Sequence, residues 1–109
     1  MQVSDIVIHV VGSLPLSVSR HAQGFMQRQV NRLQVGEQRY GKPDARKLYM
    51  TRLSNEVDAY VKTGNAEHLI NAANYCLLEA VAPEHRKFHY DNTVESVTRR
   101  LVKPKRVWK

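Results

Sequence analysis

The sequence is short of the residues that would hold a small chain together by covalent or metal chemistry. It has one cysteine, Cys76, so an internal disulfide is excluded. The place of Cys76 inside an apolar helical run predicts a buried thiol in a reducing, cytoplasmic setting. There is no glycine-rich phosphate loop: "TGN" at 63–65 reads as a helix stop followed by a cap. No apolar run is long enough to span a bilayer. The opening "MQVSDIVIHVVGSLPL" has no basic residues ahead of its apolar stretch and is interrupted by Asp5 and His9, which argues against a signal peptide. Acidic residues are also scarce. Ten Asp plus Glu stand against 17 Lys plus Arg, giving a formal charge of +7, part of it concentrated in "RRLVKPKRVWK" at 99–109. Such an excess suits a polyanionic partner, nucleic acid included, and equally a solvated basic surface.

What the chain does have is enough apolar residue to fold: 42% hydrophobic and 25% charged over 109 residues fits one globular domain. "DIVIHVV" at 5–11 is rich in β-branched residues and reads as a strand or extended arm, which would need a partner for its backbone groups. Ser17 offers an N-cap, and Val18, Ala22, Phe25, Met26, Val30 and Leu33 recur at helical spacing, predicting a first helix over about 18–38. In "YGKPD", Gly41 is a stop and Pro43 a first-turn residue. A second helix then carries Leu48, Leu53, Val57 and Val61 to Gly64. Asn65 caps a third helix that ends before Pro83, so helices two and three should form an antiparallel hairpin. Asn92 and Glu95 have capping-box spacing and open a short fourth helix with Val94, Val97 and Leu101. The expectation is an all-α four-helix bundle over 17–102, with an N-terminal arm at 1–16 and a basic tail at 103–109.

The third helix raises the functional question. Leu69, Ile70, Ala73, Cys76, Leu77, Ala80 and Val81 make it apolar over most of its circumference. His68, Asn71 and Tyr75 nonetheless follow one another at steps of three and four, with Asn74 at the edge of that stripe. Folding the hairpin at Gly64 and Asn65 brings Glu56 and Tyr60 of helix two level with Asn71 and His68. Polar groups buried without partners cost about 1–3 kcal/mol each. They must therefore satisfy one another, as a network that fixes the register of the helix pair, or line a pocket for a polar ligand.

The segment "RLSNEVDAYVKTGNAEHLINAANYCLLEAV" resembles the central helix pair of MazG-like, all-α nucleoside triphosphate pyrophosphohydrolases. One helix of that family reads approximately K-L-x-E-E-V-x-E and the next E-L-L-D-V-A-N-Y-A. "QRYGKPDARKL" resembles the loop that leads into the pair, and the likeness covers nearly half of the chain. In that family four acids bind magnesium, which holds the triphosphate and helps activate water. Here the first acid falls on Glu56 and the second on Ala59, and the later two fall on His68 and Asn71, while Asn74 and Tyr75 keep the family's "NY" pair. Asp58 and Glu67 lie one residue from matching positions, a displacement of about 100° around a helix. One carboxylate of four does not hold magnesium.

The resemblance thus implies a non-catalytic or weakly catalytic scaffold of the small kind found in phages and actinobacteria, with a pocket for a nucleotide or nucleotide-derived ligand. Glu56, Tyr60, His68, Asn71, Asn74 and Tyr75 would line it, with Arg46, Lys47 and Arg52 meeting phosphate. Magnesium enters only with the alternative reading, a pyrophosphohydrolase that rebuilds its site from Glu56, Asp58 and Glu67. A third reading is a basic module for nucleic acid or a host protein. The basic residues of helices one and two, with Tyr40 and Tyr49 for stacking, suit phosphates, a nucleic-acid surface or a plain solvated face. "HRKFH" spaces His85 and His89 four apart, but in a polar loop with no third ligand. The uncovered apolar surface of the third helix and the unpaired arm together predict a homodimer or a dimer of dimers.

Overall fold

Residues 16–40 contain no proline, so nothing in that stretch interrupts a helical hydrogen-bond ladder. In the computed structural model, which describes residues 14–93, they form one long helix, α1, Leu16–Tyr40. The arm at 5–11, the fourth helix carrying Val94, Val97 and Leu101, and the basic tail lie outside the described residues. Helix α1 starts earlier than Ser17 would suggest. Pro15 holds the N-cap position in extended geometry (φ −55°, ψ 145°), its carbonyl accepts from Val18 and Ser19 N–H, and no side chain caps the helix. Ser17 therefore lies inside the first turn. At the other end Gly41 takes φ 81° and its N–H bonds the Glu37 carbonyl, a conformation that favours glycine.

The connection to the next helix is more structured than the sequence suggested. Pro43 does not open helix two. The Asp44 carboxylate accepts from Arg46 N–H and caps a single 3-10 turn, Ala45–Lys47, after which Leu48 takes φ 56°, ψ 57°. A left-handed residue cannot continue an α-helix, so α2 begins only at Tyr49 and runs as Tyr49–Thr63. The turn folds onto the first residue of that helix: Asp44 N–H donates to the Tyr49 hydroxyl at 3.0 Å, and Tyr49 is buried.

Gly64 ends α2 in the left-handed region (φ 69°), and Asn65 Oδ1 accepts from Glu67 N–H at 3.0 Å to start α3, Ala66–Val81. Thr63 Oγ1 donates to the Ala59 carbonyl and accepts from Asn65 N–H, tightening the corner. Helices α2 and α3 form the antiparallel hairpin, α1 packs on α3, and no strand occurs among the described residues.

The core is small. Ala22, Tyr49, Ile70 and Ala72 are its buried apolar members, with Asn74 as a buried polar one. The face that α2 turns inward runs through Tyr49, Leu53, Glu56 and Tyr60, whereas Val57 and Val61, expected to pack, are exposed at 45% and 77%. On α3, Leu69 and Cys76, seven apart, lie on the outer side. The thiol is therefore exposed rather than buried: one hairpin partner and one crossing helix cannot cover a helix that is apolar nearly all round.

Candidate functional site

The inward face of the hairpin carries the polar stripe, and its groups divide into two sets. Glu56 projects between the helices and uses both carboxylate oxygens: Oε2 lies 2.8 Å from His68 Nδ1, and Oε1 accepts from Asn71 Nδ2 at 3.1 Å. Because an ionised carboxylate only accepts, His68 donates from Nδ1. This cluster ties α2 to α3 and fixes hairpin register. It joins the three residues at the position where the family pattern has acids, but Glu56 and His68 are absent from the wall of the neighbouring cleft, as is half-buried Tyr60.

That cleft, about 750 Å³, opens between the C-terminal half of α1, the 41–47 connection, the start of α2 and the inner face of α3. Its size is within the usual range for a small-molecule site. Asn71, Asn74 and Tyr75 line it together with Lys47 and Arg52. Arg46 does not: its guanidinium turns back onto the Asp44 carboxylate at 2.7 Å. That hydrogen bond, with the one from Arg46 N–H, holds the Asp44 carboxyl down at about 2, and the same pairing raises the Arg46 pKa. Arg46 is thus a clamp for the connection.

Among the described residues four cations line the cleft, Arg32, Arg39, Lys47 and Arg52, against one carboxylate, Glu37. They are not equivalent. Arg32 is paired with Glu67. Lys47 Nζ donates to the Tyr40 carbonyl at 2.7 Å and the Lys42 carbonyl at 2.9 Å, capping the negative end of α1. Arg52 donates Nε to the Lys47 carbonyl at 2.7 Å, which orients the side chain and leaves both Nη groups without a partner among the described residues. Arg39, in the last turn of α1, has no hydrogen-bond or ion-pair partner there either. Two guanidinium groups are therefore left to meet an anion, and the planar guanidinium fork matches phosphate geometry.

Half-buried Tyr75 presents an aromatic ring in the same wall, backed by buried Tyr49. The rings of Tyr49 and Tyr75 stack with centroids 6.2 Å apart and planes 26° from parallel. Asn74 is committed elsewhere: its Nδ2 donates to the Gln29 carbonyl at 3.1 Å and its Oδ1 accepts from Gln29 Nε2 at 3.3 Å, which joins α3 to α1. Arg32, Arg39 and Tyr49 stood in the sequence only as part of a broader set of basic residues and tyrosines suited to phosphates, nucleic acid or a solvated face, outside the pocket set named there. Their signal was limited to the run of basic residues and tyrosines near the first helix stop, and which of them face α3 depends on how α1 crosses it.

Among the described residues, the carboxylates that would rebuild a magnesium centre are not gathered into one. Glu56 is engaged by His68 and Asn71, Glu67 by Arg32, and Asp58 is exposed; no group of three or more His, Cys, Asp or Glu side chains suited to a metal occurs among the described residues. His85 and His89 make local loop contacts, with Lys87 and Asp91. None of the described helices is long and apolar enough to cross a membrane. No protein-family model matches the chain, and neither a curated protein nor a solved structure matches it significantly.

Proposed function

We propose that the protein binds a phosphorylated, nucleotide-type ligand in the cleft and is a non-catalytic member of the MazG-like group it resembles. One observation carries the reading: Arg39 and Arg52, both with guanidinium donors that have no partner among the described residues, line the same cleft as the Tyr49–Tyr75 stack. Phosphate would meet the two arginines, and a base would lie against the Tyr75 ring, which buried Tyr49 backs. The sequence resemblance supports the same reading, since Asn71, in the cleft wall, stands at a position where the family carries an acid. A cleft with an amide instead of a carboxylate at 71 accepts phosphate without an intervening dication.

The test is calorimetric titration with ATP, other ribonucleoside triphosphates and inorganic pyrophosphate. Charge-assisted hydrogen bonds contribute about 1.5–3 kcal/mol each, so Arg39→Ala and Arg52→Ala should each weaken binding by roughly tenfold or more. Absence of heat across the whole panel, or unchanged affinity in both variants, overturns the proposal. Binding that falls steeply with salt and prefers single-stranded oligonucleotides to mononucleotides would favour the basic nucleic-acid module instead. Exposed Val57, Val61, Leu69 and Val81 support self-association as a homodimer or dimer of dimers. Light scattering at low micromolar concentration reads this directly, and a clean monomer removes it.

A further inference from the structure

The cleft wall contains two asparagines with different freedom, and the difference assigns a preference for one kind of ligand. Asn74 has both ends of its amide engaged by Gln29. Asn71 has only one end engaged, by the Glu56 carboxylate. Since that carboxylate also accepts from His68 Nδ1–H and an ionised carboxylate only accepts, the Asn71 NH2 must face it, however the two amide atoms are named. The Asn71 carbonyl oxygen is thereby turned the other way, with no donor to it among the described residues, and Asn71 lines the cleft. Tyr75 follows one helical turn later on the same face of α3, stacked on Tyr49. A fixed hydrogen-bond acceptor thus sits beside an aromatic platform.

Building on the nucleotide reading of the cleft, the geometry points to a ligand whose base carries an exocyclic amine that donates to Asn71 Oδ1. Glu56 and His68 act as positioning residues that hold the amide in one orientation. A base presenting a carbonyl at the same place would set oxygen against oxygen. A base presenting no polar group would leave Oδ1 without the water it gave up. Both are rejected because a desolvated acceptor without a partner is costly.

Two matched pairs test this by calorimetry on the full chain: ATP against purine riboside triphosphate, which lacks only the amine, and CTP against UTP, in which a carbonyl replaces it. The amine-bearing member of at least one pair should bind tighter by roughly tenfold. Asn71→Leu removes the acceptor and should bring that ratio close to one. Glu56→Met removes the group that fixes the amide, leaves Asn71 free to turn over, and should do the same, with circular dichroism checking that each variant is folded. If Glu56→Met does not fold, the wild-type ratio and Asn71→Leu still decide. Equal binding within both pairs, or a ratio that survives Asn71→Leu, overturns the inference while leaving the nucleotide cleft standing. A ratio that survives a folded Glu56→Met removes the positioning role. Failure of all four nucleotides to bind overturns both.

Discussion

The α2–α3 hairpin and the α1 helix are held by different means. The hairpin is closed by a glycine in the left-handed region, an asparagine cap and a threonine that bonds across the corner, all within 63–67, and it buries Ile70 and Ala72. Helix α1 is longer than either hairpin helix but buries Ala22 alone, and it joins α3 through the Gln29–Asn74 amide pair and the Arg32–Glu67 ion pair. Hydrogen bonds of this kind contribute roughly 0.5–1.5 kcal/mol net and half-exposed ion pairs about 0–1 kcal/mol. The hairpin is therefore a locally encoded unit, and α1 a helix docked on it through a half-buried apolar face and a few polar contacts. The cleft lies between them, with Arg39 on α1 and Arg52 on α2, so a ligand that bridges the two arginines would fasten α1 and raise its stability by mass action.

The largest expected effect strikes both regions. Ile70 is 4% exposed, and Ile70→Ala should cost about 2–5 kcal/mol, read as a lower urea midpoint for the whole chain. Asn74→Leu separates the regions: it removes both bonds to Gln29 and should cost about 1–3 kcal/mol. Hydrogen exchange should then quicken in α1 well before α2 and α3, and equal acceleration in all three helices would break the comparison. Asn65→Ala acts on the hairpin, removing the cap on Glu67 N–H at about 1 kcal/mol, with faster exchange confined to the first turn of α3.

The smallest effect belongs to the connection between the regions. The Asp44 carboxyl is lowered from 3.8 to about 2 by its hydrogen bonds from Arg46, so the folded connection favours the ionised form. Its contribution is complete above the unfolded value and is lost as pH falls through about 2. Near-ultraviolet circular dichroism of the tyrosines, followed from pH 5 downward, should change over that window. Asp44→Asn should remove the part of the change that comes from this group, and an unchanged titration in that variant would show that the Asp44–Arg46 pair does not hold the loop over Tyr49.

The elements with local signals were legible in the sequence. Gly41, Gly64 and Asn65 mark helix ends because their roles depend on a few adjacent backbone groups, and the meeting of Glu56 with Asn71 followed from counting outward from the hairpin turn, whereas His68, level with Tyr60 by that count, bonds Glu56 instead. Pro43 and Ser17 misled for the same local reason: each has a familiar helix-start role, but Asp44 captured a 3-10 turn and the Pro15 carbonyl began α1 first. Cys76 was misplaced because apolar periodicity reports which residues prefer burial, not whether the fold supplies a surface to bury them.

Sequence by itself determined the all-α class, the hairpin, its register and the excess of basic residues. Only the tertiary structure decided the cleft. Whether Arg46, Lys47, Arg52 or Arg39 is free to meet an anion depends on which backbone carbonyls and carboxylates reach each one first. Which side of Asn71 faces the cleft depends on Glu56, fifteen residues away in the chain. Helix periodicity fixes neither, because both are set by the crossing of α1 on the hairpin and by hydrogen bonds between residues on different elements.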